Sequence, residues 1–266
     1  NGTFAPPTGR ALLLVGQDAK SVDGYFDATV TAPGGLAVNT SLQMNGMDDL
    51  HYLAGKYPKS ALSVGIDLKD SINDVAAGNA DEKIGVLLDA LITYDRPVFI
   101  RLGYGFDDRM KAYAPEVYVS AWKKFHERIQ TKANTKIALV WESASCEEAG
   151  IVEWYPGDDF VDWIGMYYCD GTSTEATIQF AREHLKPVMI TAAPPSFNAD
   201  WNDWYAPFFQ FVNDNNDVVR AVTYIHEGEG RLDLHDELLK QWKEETKQTF
   251  WLRAGPSLFN TLGFVE

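Results

Sequence analysis

Eight short apolar runs recur along the chain, separated by segments with helical spacing. The runs are Ala11–Gln17, Gly35–Gln43, Ser60–Leu68, Pro97–Tyr104, Lys136–Ser143, Phe160–Tyr168, Pro187–Ala192 and Val218–His226. Near-continuous apolar stretches such as Ala11-Leu12-Leu13-Leu14-Val15 suit strands buried on both faces, the environment of a parallel sheet covered by helices. Between them, Tyr118, Trp122, Phe125 and Ile129 step by four, three and four, which predicts one buried face of a helix opening at Pro115-Glu116. Trp201, Trp204, Tyr205, Phe208 and Phe211–Val212 form a second such stripe, and Leu238, Leu239, Trp242 and Thr246 a third. Strands alternating with helices eight times predict an α/β chain, a (β/α)8 barrel, with residues 1–266 as one domain. The residues from Trp251 onward are expected to pack as a tail beyond the last helix.

The 266 residues fit one barrel, a fold of about 250 residues. A formal charge of -15 argues against nucleic acid and anionic membrane surfaces, and neutral glycans incur no such repulsion. No run of about 18 apolar residues is present, so no membrane-spanning helix is expected. The opening Asn1-Gly2-Thr3 without Met suits a secreted chain after signal removal, and equally a chain trimmed at its start. Asn1-Gly2-Thr3 and Asn39-Thr40-Ser41 match the glycosylation sequon, a short pattern that chance also produces. Cys146 and Cys169 fall just beyond consecutive strands, where either a disulfide or two buried thiols would be ordinary. No nucleotide-binding loop, dinucleotide glycine pattern or histidine metal pair occurs, so no cofactor and no metal are expected, and nothing points beyond a monomer.

In such barrels the reacting groups stand at the C-terminal ends of strands and in the loops that follow. The polar residues there are Asp18, Asp67, Arg101, Tyr104, Asp107, Asp108, Trp141, Glu142, Tyr167, Tyr168, Asp170, His226 and Glu227. Carboxylates mixed with aromatic rings suit a cleft for a polysaccharide or oligosaccharide, because apolar rings accept the C–H faces of sugars. Arg101, Tyr104, Trp141, Tyr167, Tyr168 and His226 are the expected substrate-binding set.

Pro97-Val-Phe-Ile-Arg-Leu-Gly-Tyr-Gly-Phe-Asp107 and Trp154-Tyr-Pro-Gly-Asp-Asp-Phe-Val-Asp-Trp-Ile-Gly165 resemble the fourth-strand and sixth-strand motifs of glycoside hydrolase family 26. Leu14-Val-Gly-Gln-Asp18, Lys186-Pro-Val-Met-Ile190 and Leu239-Lys-Gln-Trp-Lys-Glu-Glu245 fit as well, so the resemblance runs essentially the full length. It implies a retaining glycosidase barrel with one glutamate ending strand four and another ending strand seven. Retention needs two carboxyls about 5–5.5 Å apart, one donating a proton and one attacking. Here Gly105 and Ala192 occupy those positions. The neighbourhood has drifted too, at Arg109-Met110 and Glu227-Gly-Glu-Gly230, which favours natural divergence over deliberate substitution.

Three functions follow from that departure. The protein is a glycan-binding pseudoenzyme, or a hydrolase with relocated acids drawn from Glu142, Asp107, Asp170 and Glu227, or a lyase using Tyr or His beside a uronate. Strand alternation places Arg101, Gly103 and Gly105 on one face, and Val188, Ile190 and Ala192 on one face of strand seven. If both faces point inward, Arg101 needs a buried acceptor, and Glu142 on the adjacent strand is the candidate.

Overall fold

A computed structural model describes residues 2–264 apart from 109, 112, 133–135, 145–150, 169–172 and 197–198. Eight parallel strands close into a ring: β1 (Ala11–Gln17), β2 (Gly35–Ser41), β3 (Ala61–Asp67), β4 (Val98–Leu102), β5 (Ile137–Ser143), β6 (Trp163–Tyr167), β7 (Val188–Ala193) and β8 (Val219–Ile225). Each strand pairs with the next, and β1 pairs with both β8 and β2, so no edge is left among these eight. The helices are α1 (Ala19–Thr29), α2 (Met47–Lys56), α3 (Ile72–Ala77), α4 (Asp81–Ile92), α5 (Pro115–Gln130), α6 (Ser173–Glu183), α7 (Ala206–Asp214) and α8 (Asp236–Thr246). The fold is a (β/α)8 barrel, with two helices rather than one between β3 and β4.

Period-two alternation divides every strand between two apolar layers. Leu12, Leu14, Ala61, Phe99, Ala138, Val140, Trp163, Met189 and Ala221 pack together inside the ring. Leu13, Val15, Leu62, Val64, Ile100, Leu139, Trp141, Ile164, Val188 and Ile190 face the helices. The predicted helix face of α5 is buried there at Tyr118, Trp122, Phe125 and Ile129. Leu238, Trp242 and Thr246 of α8 are likewise buried. In the aromatic stripe at α7, Trp204, Tyr205, Phe208 and Val212 are buried, and Trp201 begins a short π-helical turn instead of a regular α-helix.

The tail takes a definite place in the fold. Trp251–Leu252 forms β9, parallel to the start of β1, and Arg253 bridges to Pro33 just before β2. The following α9 (Leu258–Thr261) brings Leu258, Leu262 and Phe264 against Phe4 at the N-terminal mouth of the barrel. Phe4 meets Phe99 edge-on at 5.9 Å, and Phe99 meets Trp163 at 5.4 Å. The Trp163 indole N–H donates to the Thr3 carbonyl at 2.7 Å. That mouth is plugged by apolar side chains, and the polar residues inside the ring lie toward the other end.

Among the described residues no helix is long and apolar enough to cross a membrane. The alternation expected for β7 holds only in part. Val188 and Ile190 face the helices, not the interior, whereas Met189 packs inside. A register shift after Ile190 then sets Ala192 opposite Tyr167 of β6.

Candidate active site at the C-terminal ends of the strands

The inward rows of β2, β3, β4 and β5 change from apolar to polar toward their C-terminal ends. Asn39 is paired with Gly65, and Gly65 with Arg101, so one row carries an amide, a gap and a guanidinium. Gly65 keeps the gap: a Cβ there would strike Asn39 Oδ1 and lie 2.9 Å from both Arg101 Nη2 and Tyr104 Cδ1.

Arg101 spends its donors inside the barrel. Its Nε donates to Ser63 Oγ at 3.0 Å, Nη1 to Glu142 Oε2 at 3.3 Å, and Nη2 to Asn39 Oδ1 at 2.7 Å. Glu142 is wholly buried and Arg101 is 5% exposed, so this is an interior ion pair. Burial pushes the Glu142 carboxyl above its usual range, against the opposing pull of Arg101. The Thr191 hydroxyl stands beside Glu142, but its single proton goes to the Met166 carbonyl at 3.2 Å. Glu142 Oε1 is left without a hydrogen-bond partner among the described residues.

Tyr104 and Tyr167 stand beside this network, both half-buried. Lys111 Nζ lies 3.8 Å from the centre of the Tyr104 ring, a cation–π distance, and 3.6 Å from Asp67 Oδ2. Burial lowers the Lys111 amine from its ordinary value, with Asp67 opposing. Burial raises the Tyr104 phenol, and pushes Tyr167 up to about 12 with Glu142 adding to the effect. Among these four side chains the charges balance, with Arg101 and Lys111 set against Glu142 and Asp67.

Gly105 and Ala192 flank this centre without supplying a carboxylate. Gly105 has φ +61°, and a Cβ built on it would lie 3.1 Å from Ala144 Cβ and 3.9 Å from the Tyr167 hydroxyl. Its N–H donates to the Glu142 carbonyl at 3.0 Å, which ties the β4 loop to the end of β5.

The remaining expected site residues are dispersed. Trp141 is fully buried, stacked on Phe106 at 4.7 Å with its N–H on the Trp154 carbonyl. Tyr168 packs edge-on against Trp204 and Phe208 in the helical layer. His226 is 4% exposed, with Tyr25 of α1 edge-on to its ring and the Leu232 N–H donating to Nδ1. Trp141 and Tyr168 are sequence neighbours of Glu142 and Tyr167, and strand alternation turns them to the helices for that reason.

Asp107 is a structural tie: its carboxylate accepts from the Ser143 hydroxyl and, at 2.7 Å, from the Ala144 N–H. Asp18 caps α1 by accepting from the Ser21 N–H at 2.7 Å. Asp108 and Glu227 are exposed on loops. Asp170, Arg109, Cys146 and Cys169 lie outside the described residues. Among the described residues, no cluster of His, Cys, Asp or Glu could hold a metal ion.

Three members of the central network, Asn39, Ser63 and Lys111, were not singled out by sequence as site residues. Asn39 and Ser63 carried a usable signal, as polar residues inside apolar strands at the inward register of β2 and β3. Lys111 carried none, because the loop between β4 and α5 has no periodicity to read.

The chain matches no protein-family model. It is 29% identical to a β-1,3-xylanase of Alcaligenes sp. over 325 residues, covering 100% of this chain and 69% of that protein. Since the matched region exceeds the 266 residues present here, the relative carries insertions within it. A β-mannanase of glycoside hydrolase family 26 from Bacteroides ovatus superposes with a TM-score of 0.68 at 14% identity, covering 94% of this chain and 93% of that one. The fold is that of glycoside hydrolase family 26. The Bacillus subtilis mannanase BCman superposes on this family 26-like barrel with a TM-score of 0.70 at 13% identity, over 95% of this chain and 90% of the other.

Proposed function

We propose that this family 26-like protein binds a neutral β-linked polysaccharide, of the xylan or mannan kind, across the C-terminal face of the barrel, as a secreted monomer. The same reading makes it a binder that does not use the two-carboxylate retaining mechanism. One observation carries this: of the two acids at the centre, Glu142 is fully buried and paired with Arg101, and Asp67 faces Lys111, while glycine and alanine stand at 105 and 192. A retaining site needs one ionised and one protonated carboxyl facing each other across the bond to be broken. Asp107 of the β4 loop is occupied by Ser143 and Ala144.

A neutral glycan fits this centre without disturbing either of its charge pairs, Arg101 with Glu142 and Lys111 with Asp67. The phenols weigh against a lyase. A tyrosine base requires a depressed pKa, and Tyr104 and Tyr167 are both raised by burial. His226, the other base a lyase would draw on, is turned toward α1.

The deciding experiment incubates the protein with xylans, mannans and uronic polysaccharides. Binding is followed by affinity electrophoresis, chain cleavage by reducing ends, and elimination by absorbance of unsaturated products. Retention on a neutral glycan with no new ends is the expected outcome. New reducing ends would replace this reading with a hydrolase using relocated acids, and unsaturated products would replace it with a lyase.

A further inference from the structure

Between the ends of β2 and β3, beside the central ion pair, lies an open cavity of about 300 Å³. Every residue lining it is polar, among them Asn39, Gln43, Asn45, Asp67, Lys69 and Asp70. An all-polar wall gives an apolar ligand nothing to bury against. Its two inner residues are fixed in complementary roles.

Arg101 has only donors, so the atom of Asn39 that meets its Nη2 at 2.7 Å must be the amide oxygen. That contact fixes the amide orientation, and the two Nδ2 protons point away from the guanidinium. They have no hydrogen-bond partner among the described residues, and Nδ2 is not sealed from solvent. Asp67 supplies the opposite function. Its Oδ1 accepts from the Lys69 N–H at 2.8 Å and the Tyr113 hydroxyl at 3.2 Å, while Oδ2 has, among the described residues, only Lys111 at 3.6 Å and keeps acceptor capacity. The Asp67 side chain is 36% exposed. Gly65, between the two in the inward rows, leaves the space open.

We propose that this pocket is a sugar subsite in which the Asn39 amide donates to one ring hydroxyl and the Asp67 carboxylate accepts from another. The proposal rests on the reading of the cleft as glycan-binding. A hydroxyl both donates and accepts, so two hydroxyls on one ring satisfy a fixed donor and a fixed acceptor together, and neither end of the contact requires a charged ligand. Gln43, Asn45, Lys69 and Asp70 stand on the exposed rim, where they complete the shell around a bound ring. The pocket also accounts for the orientation of the buried network: Glu142 neutralises Arg101, Arg101 turns Asn39, and Asn39 presents its donors.

The test is calorimetric titration with xylotetraose in β-1,3 and β-1,4 linkage and with β-1,4-mannotetraose. Asn39→Asp keeps the oxygen that Arg101 needs and removes the outward donor, and Asp67→Asn blunts the acceptor. Each is expected to weaken binding of a recognised probe tenfold or more while the melting temperature stays close to that of the parent. The Asn39 side-chain amide resonances should shift on titration of the parent protein. If Asn39→Asp melts early, Gln43→Ala and Asn45→Ala on the exposed rim carry the same test, with a threefold loss expected. A probe bound equally well by parent and variants would overturn the subsite and leave the cleft reading standing. Failure of the parent to bind any probe would remove both.

Discussion

Glu142→Gln replaces one oxygen with an amide nitrogen at the centre of the barrel and removes the negative charge opposite Arg101. The guanidinium would keep neutral acceptors at Ser63 Oγ and Asn39 Oδ1, but it would be a buried cation with no counter-charge at contact distance. Breaking a buried pair from one side costs about 3–5 kcal/mol, because the surviving charge stays desolvated. Both side chains are at most 6% exposed, so solvent does not rescue the orphan and the full range applies. For a chain of this size that corresponds to a fall in melting temperature on the order of 10 °C. Denaturant unfolding, with the slope checked for constancy, measures the loss directly. The paired change Arg101→Met with Glu142→Leu removes both charges and should recover most of it, since apolar replacement of a whole buried pair is often near neutral. A Glu142→Gln protein within about 0.5 kcal/mol of the parent would refute the reasoning, and would return Glu142 to candidacy as a catalytic acid.

Two further outcomes follow from the same geometry. Gly65→Ala places a methyl group against Asn39 Oδ1 and 2.9 Å from Arg101 Nη2 and Tyr104 Cδ1, so it should cost about 1–3 kcal/mol by overpacking, measurable as a lower denaturant midpoint. His226 is held below its ordinary value of 6.5, first by burial, with Asp233 opposing. The unfolded chain then binds more protons than the folded one between 6.5 and the lower folded value, so this group's contribution is complete above 6.5 and declines as pH falls through that interval. His226→Gln should flatten the stability profile below neutrality, and an unchanged slope would show that His226 is not the group responsible.

The periodicities decided a good deal. Continuous apolar runs such as Ala11–Val15 specify strands covered on both sides, and steps of three and four at Tyr118, Trp122, Phe125 and Ile129 specify a helix with one buried face. These are local signals, set by how far each residue turns the chain, and eight alternations of them admit few architectures other than the barrel. The same logic reached Arg101 and Glu142 as partners, since a guanidinium on an inward face requires an acceptor within reach.

What the sequence left undetermined was which way each side chain turned at the ends of the strands. Trp141, Tyr168 and His226 lie where a cleft aromatic would be sought, yet one residue of register separates facing a ligand from facing a helix. On β7 a register shift after Ile190 resets the alternation, and no local pattern announces it. The tail from Trp251 became β9 and part of the plug at the N-terminal mouth because its partners, Ala11, Phe4 and Phe99, are distant in sequence. Asn39, Ser63 and Lys111 joined the site by the same route. Element type follows from short-range stereochemistry, which the chain carries in its spacing. The company a side chain keeps depends on ring closure and strand stagger, which exist only when all eight strands are in place.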